Sequence, residues 1–90
     1  MSLRVAREVG RLLNAVDHLQ LNDVLSPGEA SDLCRVICKK ARRRGVTVTR
    51  RAPNGSKLRD NSVRVCWMNL RGRQLERRFA AYNVLFDPEE

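Results

Sequence analysis

The chain carries very little with which to do chemistry. One histidine, three cysteines and four aromatic residues (Trp67, Phe79, Tyr82 and Phe86) stand among its 90 positions. It has no Ser-His-acid arrangement, no H-E-x-x-H pair and no glycine-rich phosphate loop. A catalytic site needs titratable groups that converge, and here the acids are scattered, so a protein that is not an enzyme and holds no cofactor is expected. No run of about 18 apolar residues occurs, which argues against a membrane-spanning helix. The first ten residues include Arg4, Arg7 and Glu8 and lack the apolar centre of a secretory signal. An odd number of cysteines, two of them four apart, does not make a disulfide framework. Reduced thiols and a cytoplasmic location are the expectation.

Acidic residues are also scarce where they would matter most. Residues 1–33 carry three arginines against five acids, and residues 80–90 carry three acids and no base. Between them, residues 34–79 hold fifteen Lys and Arg against only Asp60 and Glu76. The formal net charge of +8 is therefore a mildly acidic frame around a strongly basic centre. Repulsion on that scale disfavours a compact state unless a partner or counterions compensate, and this asymmetry is the main functional signal.

Residues 3–20 read as an amphipathic helix, with Val5, Val9, Leu12, Val16 and Leu19 on one stripe, widened by Ala6, Leu13 and Ala15. So broad a face suits two partners, which brings in a second helix, a sheet or another protomer, with a homodimer through this helix as one form. Gly10 within it costs roughly 1 kcal/mol against alanine. Ser26, Pro27 and Glu29 then form a helix start: a cap, a proline at the first position and an acid where a capping box wants one. The second helix is expected to run to about Arg44, with Gly45 as its stop. Ala30, Leu33, Cys34, Ile37, Cys38 and Ala41 make its apolar face, and Arg35, Lys39, Arg42 and Arg43 its opposite pole.

Beyond Gly45 the period becomes two. Residues 46–49 are β-branched throughout and read as a strand continuing into Arg50 and Arg51, followed by a turn-rich loop over 52–61. Residues 62–68 form a second strand with Val63, Val65 and Trp67 on one face. Asn69 to Gly72 suits a type I turn with a glycine bulge. Residues 74–79 fit a third strand better than the helical spacing of Leu75, Phe79, Tyr82 and Phe86. A short helical or irregular segment through 82–86 and an acidic end over 87–90, expected to be frayed, complete the chain. The expectation is one α+β domain over 1–86, with two N-terminal helices packed on a two- or three-stranded antiparallel sheet. Its core should draw on Val5, Val9, Leu12, Val16, Leu33, Ile37, Val63, Val65 and Trp67.

Three groups of cations stand out as candidate nucleic-acid contacts. They are the helix pole (Arg35, Lys39, Arg42, Arg43), the strand and loop set (Arg50, Arg51, Lys57, Arg59) and the hairpin set (Arg71, Arg73, Arg77, Arg78). Arginine dominates, and its planar fork suits phosphates and guanine edges. With few aromatics for stacking and no RNP or GXXG string, duplex DNA is favoured and structured RNA comes next. Two helices and a hairpin resemble part of a winged helix-turn-helix, but that module needs a further helix. The rival expectation is an adaptor or inhibitor that docks a basic and apolar surface on an acidic protein. Cys34, Cys38, Cys66 and His18 could number four zinc ligands, yet structural zinc sites favour a C-x₂-C knuckle, and cysteine as a small core residue explains all three thiols.

Overall fold

The computed structural model describes residues 2–89, so Glu90 of the acidic end lies outside the described residues. Helix α1 spans Ser2–Leu21 and α2 spans Pro27–Arg43; strands β1 (Val46–Thr49), β2 (Val63–Met68) and β3 (Gln74–Phe79) follow. The strands form one antiparallel sheet in the order β1-β2-β3, giving the expected α+β arrangement with both helices ahead of the sheet.

Local chemistry explains the boundaries. The Ser26 hydroxyl accepts from the Glu29 N–H (3.2 Å) while the Glu29 carboxylate accepts from the Ser26 N–H (3.0 Å), a complete capping box. At the other end Gly45 takes φ +78°, where a side chain would be strained, and β1 begins one residue later. In the hairpin, Asn69 Oδ1 accepts from the N–H groups of Arg71 and Arg73. The Asn69 N–H donates to Arg73 O, and Gly72 sits at φ +75°, which is the expected glycine-bulge turn. Strand β1 stops at Thr49 instead of continuing through Arg51. Arg50 turns inward there, and Arg51 makes only an isolated bridge to Lys57.

One face of the sheet meets the helices. Val46, Val48, Val63, Val65 and Trp67 join Ala6, Val9, Leu13 and Val16 of α1 and Ala30, Cys34, Cys38 and Ala41 of α2 in a single core. Two expected core residues are exposed instead: Leu12 at 50% and Leu33 at 43%, with Val5 and Ile37 only half-buried. On α1 the covered face is turned by roughly one residue from the apolar stripe, toward Ala6, Gly10, Leu13 and Asp17. Gly10 permits the close approach on this face. A Cβ there would lie 2.2 Å from the ring of Phe79, so the helix backbone and the end of β3 touch only because position 10 has no side chain. Gly10→Ala is expected to destabilise the protein by about 1–3 kcal/mol through overpacking, against the roughly 1 kcal/mol gain that helix propensity alone would give. Urea unfolding decides between them, and a stabilised variant would mean the ring moves aside freely.

Residues 80–86 are irregular yet seated, with Ala81, Val84 and Phe86 buried. A buried irregular segment must find partners for its backbone, and here side chains supply them. Carbonyls of Ala80, Asn83 and Leu85 accept from Asn14 Nδ2 (3.1 Å), Gln20 Nε2 (2.9 Å) and Ser31 Oγ (2.6 Å) respectively. The buried Asp17 carboxylate accepts from the N–H groups of Asn83 (2.7 Å) and Val84 (3.2 Å). Arg50 completes the clamp, as described below. Residues 87–89 continue against the domain: Pro88 is buried, so the acidic end is anchored as far as it is described.

Candidate nucleic-acid interface

Sixteen of the eighteen Lys and Arg side chains are exposed; the two buried ones are Arg50 and Arg64. Arg50 therefore leaves the set of surface contacts. Its guanidinium lies inside, donating to the carbonyls of Phe86 (3.1 Å), Ala81 (3.1 Å), Val84 and Asn61, and it rests 4.6 Å from the Phe86 ring centroid. Burial pushes its pKa below the ordinary arginine value, offset in part by Cys34 and Asp17. Arg64 projects from the sheet face opposite the helices. It is covered there by donating to Glu76 (2.5 Å) and to Arg51 O (2.6 Å). The Glu76 carboxyl is held below the usual range, first by that hydrogen bond.

The remaining cations fall into separate regions. Helix α2 ends where β1 begins, and Val46 pairs with Trp67 one residue before the end of β2. The end of α2 and the hairpin of residues 69–73 therefore share one end of a domain measuring 42 × 26 × 19 Å. The first turn of α1 is there too, since Leu3 lines a notch with Trp67, Met68, Leu70 and Arg71. That end gathers Arg43, Arg71 and Arg73 from the expected set and adds Arg4, Lys40 and Arg44, all exposed. No acid occurs in residues 2–5, 40–45 or 68–74, so these charges have no carboxylate within their own segments. Arg44 could have been found in the sequence as the residue beside the helix stop; Arg4 is brought in only by the packing of α1.

Arg35, Lys39 and Arg42 line a groove of about 320 Å³ along α2, as the helical spacing predicts. Arg35 pairs with Asp32 at 3.5 Å, and Arg42 Nη2 donates to Pro88 O at 3.3 Å. The far wall of this groove is Asp87 and Pro88. Arg51, Lys57 and Arg59 occupy the loop beyond β1, at the opposite end from the hairpin. Arg51 donates to Gly55 O within that loop (3.0 Å), and the loop is pinned by buried Leu58. Arg77 pairs with Val65, putting it on the helix side of edge strand β3, whereas Arg78 pairs with Arg64 on the other face. The hairpin set therefore points three ways.

The other singled-out groups fall apart as a site. Cys34 and Cys38 lie in the core, Cys66 on the opposite sheet face with Arg64, and His18 on the exposed side of α1. Burial pushes the Cys34 thiol up to about 11 and the Cys38 thiol to about 12, leaving both protonated near neutrality. Among the described residues no three His, Cys, Asp or Glu side chains group as a metal site, and no helix is long and apolar enough to cross a membrane.

No family model, no curated protein and no solved structure matches the chain. Its chemistry has to be read from its own surface.

Proposed function

We propose that this protein binds nucleic acid without catalysing a reaction, through the exposed basic side chains of α2 and the hairpin end. One observation carries the reading: Arg43, Arg44, Arg71 and Arg73 emerge together from one end of the domain, in segments that contain no acid. Such a surface attracts phosphates by charge and releases their counterions. The α2 pole continues it, since Arg35 to Arg44 spans about 14 Å at 1.5 Å per residue. Duplex DNA is the favoured ligand, with structured RNA next. Trp67 and Phe86 are buried and Phe79 packs on the core, so only Tyr82 among the aromatics is exposed for stacking on a single strand. Charge and shape readout is the mechanism this supports, and a regulatory role fits a small binder. Three unpaired cysteines suit a reducing cytoplasm.

Titration of duplex DNA, single-stranded DNA and structured RNA at 50 and 200 mM salt tests this. Duplex should bind with Kd below about 10 μM at 50 mM salt and weaken steeply at 200 mM. Changing Arg43, Arg44, Arg71 and Arg73 together to Ala should flatten the slope of log K against log salt by about 3–4, roughly 0.9 for each phosphate no longer neutralised. Absence of binding to all three ligands would overturn the proposal.

A second reading, docking on an acidic protein, draws on Leu12, Leu19, Leu33 and Val36. These are 40–50% exposed on the helices, with Met68 (57%) and Leu70 (93%) at the hairpin end. A homodimer through α1 would use part of the same surface. Binding of that kind should survive moderate salt and disappear on Leu12→Ala or Leu33→Ala.

A further inference from the structure

The chain carries its own anions into the basic track beside α2. Residues 80–86 are held by buried polar groups, whereas residues 87–89 are held by the buried Pro88 and by hydrogen bonds at the surface on either side of it. The Asp87 side chain borders two neighbouring grooves, one lined by Arg35, Lys39 and Arg42 and the other by Arg35 and Lys57. The Glu89 carboxylate accepts from Thr49 Oγ1, and Arg42 Nη2 donates to the carbonyl of Pro88 between them. The Glu89 N–H donates to Asp87 Oδ1 at 2.9 Å, folding the two carboxylates into one short turn. The Asp87 carboxyl sits below the ordinary aspartate value, first through its hydrogen bonds with Glu89 and further through the charges of Arg51 and Lys57. Both carboxylates remain exposed while Pro88 is buried as their anchor.

We infer that residues 87–89 are a built-in competitor: Asp87 places its carboxylate in a track that phosphates of a bound nucleic acid would take, and Glu89, bonded to Thr49 and to Asp87, holds it there. This rests on the nucleic-acid reading above and adds a second contact surface to it, running from the α2 pole to Lys57. A phosphodiester backbone supplies one negative charge per nucleotide along a continuous line, where residues 87–89 supply two carboxylates. Exposed carboxylate contacts are weak and screened by salt. The polyanion therefore displaces the exposed carboxylates on either side of the buried Pro88, and part of its binding free energy is spent doing so. Among the described residues the hairpin end has no such occupant.

The test uses the full chain carrying Asp87→Asn and Glu89→Gln, titrated with a 20-base-pair duplex at 50 and 200 mM salt. Binding should tighten about 3–10-fold at 50 mM and by less at 200 mM, because salt already weakens the carboxylate contacts that the parent must give up. Adding Lys39→Ala and Arg42→Ala should abolish that gain. Unchanged or weaker binding by the double variant overturns the inference, as does a gain that survives removal of the track cations. If the parent protein and all variants fail to bind duplex, the nucleic-acid reading falls and this inference with it. Binding by the parent that is unaltered in the double variant sinks the inference alone. Thermal unfolding within a few degrees of the parent verifies that the variants are folded, and Asp87→Asn alone should shift affinity in the same direction by less.

Discussion

Arg50→Met is expected to lower the stability of this protein by about 3–5 kcal/mol, because each carbonyl left buried without a donor costs about 1–3 kcal/mol. A domain of this size commonly has only about 5–14 kcal/mol in all, so a large part of its margin would go. Four backbone carbonyls, of Asn61, Ala81, Val84 and Phe86, accept from this one guanidinium. Methionine can fill much of the space but donates to none of them, and unsatisfied buried carbonyls are what make the effect large. The next residue is the control. The Arg51 side chain is exposed and donates to Gly55 O of its own loop, so Arg51→Met should change stability by no more than about 0.5 kcal/mol. Urea unfolding followed by circular dichroism reads both. A decrease below about 1 kcal/mol for Arg50→Met would mean that the clamp on residues 80–86 is held by Asp17, Asn14 and Gln20 without it. A phosphate-binding arginine would behave in the opposite way, losing affinity while stability stayed constant.

The second large effect separates neighbours on α1. Leu13 is fully buried at the centre of the core and Leu12 is half exposed. Leu13→Ala removes buried methyl groups and leaves a cavity, costing about 2–5 kcal/mol, whereas Leu12→Ala should cost under about 1 kcal/mol. For a domain of 60–100 residues each kcal/mol moves the melting temperature by roughly 4–8 °C, so the two melting curves should stand well apart. Similar shifts for both would place the apolar stripe, rather than the Gly10–Phe79 contact, in control of the helix orientation.

Much of the fold was legible because it is written in short-range chemistry. The capping box at Ser26 and Glu29, the stop at Gly45, the β-branched residues 46–49 and the Asn69–Gly72 turn each depend on a few neighbouring residues. Each is realised by the hydrogen bonds or dihedral angles those residues were expected to make. The candidate interface was legible in part. Helical spacing put Arg35, Lys39 and Arg42 on one groove, but it could not tell Arg50 from Arg51 or bring Arg4 beside the hairpin.

Taken alone, the sequence determined the elements, their order and the concentration of positive charge, because periodicity, caps and composition are local properties of the chain. Tertiary structure decided which face of α1 is covered, that Arg50 and Asp17 are buried to hold an irregular segment, and that Asp87 borders the grooves lined by cations of α2 and the neighbouring loop. The reason is physical. A period of 3.6 residues says which side chains share a face, but a broad stripe leaves the choice between adjacent faces open. Here the covered face is the one on which residue 10, having no side chain, lets the Phe79 ring approach the helix. Whether a charged side chain is exposed or buried likewise depends on carbonyls contributed from 31 to 36 residues further along the chain.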